Sequence, residues 1–559
     1  MKEQQSSGTI TSVKNPIKVM LPQKKVFETP RLLQADAYTV GSDIFQSKKA
    51  KNKSTYYITF RRKLSTVNPI LYNEGDDRMV FEGLGVFLEK LFFIPITHEE
   101  IDTAKEFLKT FKATTMGLAD YAFPETMWRR VVDEFNGRPP IKIKAMPNGS
   151  VVYPNEPIMQ IESMVDGMGE LAAWFESTLL KVWAPSERVT QNEHWLAKMK
   201  NMLRKIYGNT LTEDEIHFRA SLMLTDFGDR AGMTNEESEV LGMAHLYTFP
   251  GTDNCQGAYQ AWENAGRTPI GSSVNALAHR NIQAYEVEND CYEAIYSACA
   301  NNEIISMVSD CYDFYTANEK YILPLALRSV KEGNGKVVVS RPDSGNAKEQ
   351  VLWICRLAVR NGLYTTKVID GVEWKFGTTL KFIEGDGMTW SQMWEIIEEL
   401  IKEGFAPDAW GLFGVGGGLR NPLKRDNTSA KYALCAKGDD NEGVVKFSDT
   451  LGKTTLPGPF KILRTPWALE NKETIVFAHE DGEDAMVVYF DGSNIWKPFG
   501  IGQDDNFLVT RDRIRAQMDS MPLNLTTATN HNYPASEAIL NERRRLLKIH
   551  APKKQAKNY

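Results

Sequence analysis

The feature that most constrains the fold is a repeated handover. A strand-like apolar run ends in a charged, polar loop, which leads into an amphipathic helix pattern. IISMVSDCYD (304–313) precedes TANEKYILPLALRSV, VVVSRPDSGN (337–346) precedes EQVLWICRLAVRNG, KFIEGDG (381–387) precedes TWSQMWEIIEELIKEG, and AWGLFGVGGG (409–418) closes the series. Ser309, Ser340, Gly385 and Gly414 are 31, 45 and 29 residues apart, the length of a βα unit. Parallel neighbours need a helical crossover, so this alternation predicts an α/β fold with a parallel sheet. A doubly wound sheet would also put ligands at its strand ends. The number of units and the two final glycine loops favour an incomplete TIM-like (β/α) barrel, whose phosphate sites follow its last strands.

The barrel-like domain is expected over 176–444. A smaller, mostly antiparallel α+β domain is expected from 27–175 together with 445–535, where VVKFSD, TIVFAHEDG and AMVVYFDG look like antiparallel strands with Gly/Asp turns. A flexible arm (1–26) and a basic, solvated tail (536–559) would flank the two. A net charge of −6 over 559 residues argues against general nucleic-acid binding. Six cysteines without a CxxC pair suggest reduced thiols in a cytoplasmic protein. The apolar stretch near 80–96 is broken by Glu82, Glu89 and Lys90, so no membrane span is expected.

The chemistry-bearing residues fall where strands should end. In SRPDSGN, Arg341 offers a fixed fork of donors suited to phosphate, Asp343 can accept from hydroxyls or stabilise positive charge, and the following turn opens a helix. The stretch suits a sugar phosphate; the bland alternative is an Arg–Asp pair stitching a loop. IEGDGM adds Gly385 and Asp386, and FGVGGGL adds Gly416 and Gly417, where backbone can approach a ligand closely. A dinucleotide fingerprint is disfavoured because Arg420 stands where its third glycine belongs. Arg425 and Lys431 follow as phosphate cations or as a solvated basic face. Upstream, LTDFGDR carries Phe227 and Arg230, HLYTFPGTDN carries Asp253, and GSSVNALAH carries Ser273 and His279. An aromatic face beside a carboxylate suits a flat heteroaromatic amide, provided these residues converge. A lone histidine is more often structural.

DFGDR, PGTDN, SSVNALAH, SRPDSGN, EGDG and FGVGGGL, in this order, resemble the nicotinamide phosphoribosyltransferase family, and LLQADAY (32–38) and LRTP (463–466) also fit. The resemblance runs from about residue 30 to about 490. It implies transfer of a phosphoribosyl group from phosphoribosyl pyrophosphate to nicotinamide with Mg²⁺, ATP hydrolysis coupled through a phosphohistidine, and a homodimer with shared active sites. Carried over by motif, Phe227 and the partner subunit's Tyr38 would sandwich the ring. Asp253 would accept from the carboxamide, with Ser273 and Arg341 lining the slot. Gly385 and Asp386 would hold ribose hydroxyls, and Gly416 and Gly417 would approach its phosphate. Arg425, Lys431 and Lys63 are the further phosphate cations. Arg230 and Arg341 would meet pyrophosphate, Asp343 would face the ribose, and His279 matches the phosphorylated histidine. Ser306, Asp310 and Asp313 could reach the pocket or waters of the metal, for which no direct protein ligand is implied.

Three positions depart from the family pattern. Thr225 replaces a histidine, Asp229 an aromatic residue, and Lys63 stands near an expected arginine. A lysine pair that helps bind phosphate is missing around Glu263 and Asn264. The alternatives are a nicotinate phosphoribosyltransferase, a glycoside hydrolase and a non-catalytic dimeric scaffold. A hydrolase would need two carboxylates flanking a sugar bond and no such set of arginines and glycine loops.

Overall fold

The computed structural model describes residues 29–116, 122–448, 453–492, 506–526 and 533–551. The expected arm, 1–26, and residues 552–559 of the expected tail lie outside them.

Seven strands pair in parallel, in the spatial order Gly251–Thr252, Leu224–Asp226, Gly411–Val415, Leu380–Glu384, Val337–Arg341, Ile304–Val308, Asn275–Ala276. The sheet curls, and one edge is tied to the segment that leads into the other. Gly251 bridges Ser272 in parallel, the Thr252 N–H donating to the Ser272 carbonyl at 2.9 Å and the Ser272 N–H to that of Pro250 at 2.8 Å. This is the incomplete barrel-like α/β architecture expected. Its strands are continuous apolar runs because both faces are covered: Ile305, Met307, Val308, Val338, Phe382, Phe413 and Val415 are all buried.

Four short ligand-side loops end in a helix cap. Asn254 accepts from the Gly257 N–H, Asp313 from that of Thr316, Asn346 from that of Glu349 and Thr389 from that of Gln392. A cap of this kind contributes about 1 kcal/mol. Here it also fixes where each of these loops stops, leaving Asp253 alone after the Gly251–Thr252 strand and four residues after each of the other three. The 45-residue step has a separate cause: an antiparallel hairpin, Tyr364–Ile369 with Val372–Gly377, is inserted before the next parallel strand. Its two-residue turn, Asp370-Gly371, has positive φ at both positions, which a tight hairpin with native twist requires.

A six-stranded antiparallel sheet runs in the order Glu442–Gly443, Lys431–Lys437, Ser54–Thr59, Pro157–Ser163, Ile141–Ala145, Val487–Phe490. It combines early and late segments, as expected, but the change of sheet comes earlier than residue 444. Lys431–Lys437 already pairs with Ser54–Thr59, because the chain leaves the parallel sheet after its last strand at Val415. VVKFSD forms no strand over its described residues, 444–448.

The solvated tail is also corrected. Glu537–His550 is a helix that buries Ile539, Leu540, Leu546 and Leu547, and stacks the Arg543 guanidinium over the Tyr533 ring at 4.6 Å. The basic run concealed an apolar stripe at helical spacing. Among the described residues, no helix is long and apolar enough to cross a membrane.

Candidate active site

Parallel packing sends the carboxyl ends of all seven strands to one side, and three of the quoted motifs touch there through one ring. The Phe227 N–H donates to the Val415 carbonyl at 3.1 Å, which lays the phenyl ring across two neighbouring strand ends. A Cβ on Gly414 would stand 2.0 Å from Phe227 Cε2, and one on Gly385 would stand 3.2 Å away. Glycine at 414 is therefore demanded by the ring itself. Gly416 lies against the Phe227 carbonyl, where a Cβ would be 3.3 Å from the oxygen, and Gly417 opens the following turn of helix.

On the other side of Phe227, Asp253 is held by its own N–H, which donates to the Asp226 carbonyl at 2.9 Å. The Ser273 hydroxyl donates to Asp253 Oδ1 at 2.5 Å, and among the described residues Oδ2 has no hydrogen-bond partner. Arg341, the last residue of its strand, donates from Nη2 to the Leu277 carbonyl at 2.5 Å, while its buried Nε–H has no partner among the described residues. Burial lowers the guanidinium's pKa. The carboxylates of Asp343, Asp253 and Asp310 oppose that shift, and the charge of Arg230 adds to it. Four separate loops thus act on one cation.

Asp310 is the hub of the next cluster. It accepts from His279 Nε2 at 3.2 Å, from the Asp343 N–H at 3.1 Å and from the Ser344 hydroxyl. His279 Nδ1 lies 3.7 Å from Asp343, and the imidazole remains partly exposed. Asp386 is exposed at the rim, its N–H donating to Glu384 Oε1 at 3.1 Å.

Several expected residues stand elsewhere. Asp313 is spent as a helix cap, its carboxylate accepting from the Thr316 N–H at 2.8 Å. Ser306 lies buried within its strand. Lys63 is not a free phosphate cation: it pairs with the buried Asp77 at 2.6 Å and donates to the Thr526 hydroxyl at 2.9 Å. Tyr38, Arg425 and Lys431 belong to a second group. Burial lowers the pKa of Lys431; Glu176 opposes the shift, and Arg61, Lys446 and Arg425 reinforce it. Burial raises the pKa of Tyr38, as do Glu176 and Asp36. Arg61 belongs to the same group and donates to the Ser429 carbonyl and hydroxyl at 3.1 Å. Among the described residues, no hydrogen bond or ion pair joins this group to the one around Phe227.

A buried network beneath the mouth went unread in the sequence. Asp226 accepts from the Gly228 N–H at 2.7 Å and from Asn254 at 3.4 Å. Arg188, 1% exposed, donates to His245 Nδ1 at 2.9 Å, and His245 Nε2–H donates to the Gly251 carbonyl at 3.0 Å. Burial first, then the charge of Arg188, pushes the His245 pKa down to about 3, so the ring is a neutral spacer. The network fixes the loops that carry Phe227 and Asp253. Its members sit on different helices and strands, so only the run TDFGDR hinted at it. Asp229, one of the departures, accepts from Gln256 at 2.7 Å, while Thr225 is buried in the strand beside Gly251 and Gly414.

The sequence profile of the nicotinate phosphoribosyltransferase (NAPRTase) family matches residues 222–465, and that of the nicotinamide phosphoribosyltransferase N-terminal domain matches 31–143. A nicotinamide phosphoribosyltransferase of Xanthomonas campestris pv. campestris is 28% identical over 457 residues, covering 80% of this chain and 92% of the relative. One from Acinetobacter baylyi is 24% identical over 409 residues, covering 66% and 75%. Human nicotinic acid phosphoribosyltransferase shares the fold with a TM-score of 0.53 at 14% identity, over 91% of this chain and 99% of that one. The nicotinate-nucleotide pyrophosphorylase of Pyrococcus furiosus gives 0.51 at 13% identity, over 89% and 98%.

Proposed function

We propose that this chain, which belongs to the nicotinate and nicotinamide phosphoribosyltransferase family, transfers the phosphoribosyl group of phosphoribosyl pyrophosphate to nicotinamide. The products are nicotinamide mononucleotide and pyrophosphate, a step of NAD salvage. The observation that carries this reading is the convergence on Phe227. Its ring lies against Gly385 and Gly414, the Asp253–Ser273 pair stands beside it, and Arg341 is within reach of Asp253 and Asp343.

The chemistry needs alignment and charge more than proton transfer. The pyridine nitrogen lone pair forms the new bond to ribose C1 while the C1–oxygen bond to pyrophosphate breaks, and the leaving group keeps that electron pair. The attacking nitrogen carries no proton, so no general base is required. Positive charge develops on the ribose, where Asp343 would stabilise it, and negative charge on pyrophosphate, which Arg341 and Arg230 would face. Such preorganised charge is worth about 3 kcal/mol per well-placed group. Magnesium would arrive on the diphosphate as part of the substrate.

Asp253 favours the amide over the acid. With Oδ1 taken by Ser273, Oδ2 is left to accept a carboxamide N–H, whereas nicotinate would bring a second carboxylate to the same place. The basic group of Arg61, Arg425 and Lys431 supports a homodimer in which one chain's cations complete the partner's pocket at the ribose phosphate. His279, held by Asp310 and close to Asp343, would be the residue phosphorylated by ATP.

Incubating the pure protein with nicotinamide, phosphoribosyl pyrophosphate and Mg²⁺, with and without ATP, tests the reading. Nicotinamide mononucleotide should form, and ATP should leave acid-labile phosphate on His279. A preference for nicotinate would overturn the substrate assignment. Transfer without a phosphohistidine would remove only the ATP coupling.

A further inference from the structure

Glu384 is the last residue of the Leu380–Glu384 strand, directly before the loop proposed to hold the ribose. It is 1% exposed, rare for a carboxylate without a cation beside it. Oε1 accepts the Asp386 N–H at 3.1 Å, and the buried Oε2 has no hydrogen-bond partner among the described residues. The titratable groups that face it are Asp386 on its own loop and Asp343 at the end of the neighbouring strand, both acids. On the other side the Gly411–Val415 strand sets Phe413 opposite it in register. An ionised Glu384 would leave a buried oxyanion with no donor and line one wall with three negative charges, against a substrate that is itself a polyanion.

We propose that Glu384 is a positioning residue that works as a neutral acid: it props the Gly385-Asp386 loop through the Asp386 amide while keeping a third negative charge off the wall that receives the sugar diphosphate. The substrate half of this inference rests on the function proposed above; the protonation half does not. Burial, followed by the charges of Asp386 and Asp343, pushes its pKa up to about 7, and the loop N–H groups offset only part of that. The stability held by the neutral form is complete at pH values below the ordinary carboxyl pKa. It is lost as pH rises through about 7.

Glu384→Gln in the full-length chain separates the two halves, because a glutamine keeps the shape and the acceptor but cannot ionise. Melting temperatures of both proteins without substrate, from pH 5 to 9, come first. The advantage of E384Q over the native chain should grow by about 2–4 °C as pH rises from 5 and level off above the raised pKa. A difference that does not change with pH overturns the neutral acid whatever the chain catalyses. The second measurement is the KM for phosphoribosyl pyrophosphate. The ratio of native to E384Q values should rise about fivefold between pH 6 and pH 8.5, with no matching change in kcat. A flat ratio, or loss of transfer in E384Q at every pH, overturns the role assigned to the proton. If neither protein transfers phosphoribose, the proposed function falls, and the melting series still decides whether Glu384 is neutral.

Discussion

The mouth of the parallel sheet and the basic seam beside the antiparallel sheet divide the chemistry between them. At the mouth, Phe227, Asp253, His279, Asp310, Arg341 and Asp343 come from five strand ends and are held in place: Ser273 on Asp253, His279 on Asp310, Arg341 on the Leu277 carbonyl. At the seam, Arg61, Arg425 and Lys431 share an environment with Glu176 and Tyr38, and Tyr38 is 65% exposed. The mouth is organised before any ligand arrives. The seam sets the half-buried Arg61 and Lys431 beside the exposed Arg425 and Tyr38.

The sharpest way to break this comparison is to damage each half separately. Arg341→Ala should cost about 10³-fold in kcat/KM without lowering the melting temperature, since it removes the cation proposed to face the leaving group. The double change Arg61→Ala and Lys431→Ala should act chiefly on the KM for phosphoribosyl pyrophosphate. Co-expressing the two damaged chains should then restore about a quarter of native activity, because half of randomly paired dimers would contain one intact pocket. No recovery would mean that each chain completes its own site.

Gly414→Ala should lower kcat/KM for nicotinamide by about 10²-fold, because the new methyl must displace the Phe227 ring from a well-packed position. If activity is retained, the ring is not the platform. Asp253→Asn should narrow the preference for nicotinamide over nicotinate by about tenfold, read as the ratio of the two kcat/KM values. The smallest expected effect on catalysis belongs to Lys63→Met. Its partner Asp77 is 4% exposed at the side chain, so losing the cation should cost about 2 kcal/mol of stability in urea unfolding. KM should hardly move, which separates a structural lysine from a phosphate ligand.

Much of the mouth was legible in the sequence because parallel sheets put their loops at one end. Once 304–418 was read as βα units, SRPDSGN, EGDG and FGVGGGL had to gather. Residues whose roles depend on reach were not legible in the same way. Asp313 looked like a pocket acid until its helix claimed it as a cap. Lys63 and Arg61 are two residues apart, yet only the fold turns one toward Asp77 and the other toward Ser429. Glu384 does carry a signal in the sequence, an acid immediately before the glycine loop.

Local rules in the sequence therefore settled the class of fold, the common end of the sheet and the motif order, since apolar periodicity, caps and glycine act over a few residues. The tertiary structure alone decided which charges meet. The Asp226–Arg188–His245 network, the edge bridge between Gly251 and Ser272, and the separation of the two cation groups depend on contacts between distant segments. A carboxylate's or guanidinium's charge state and freedom follow from what is packed against it, and no run of neighbouring letters specifies that.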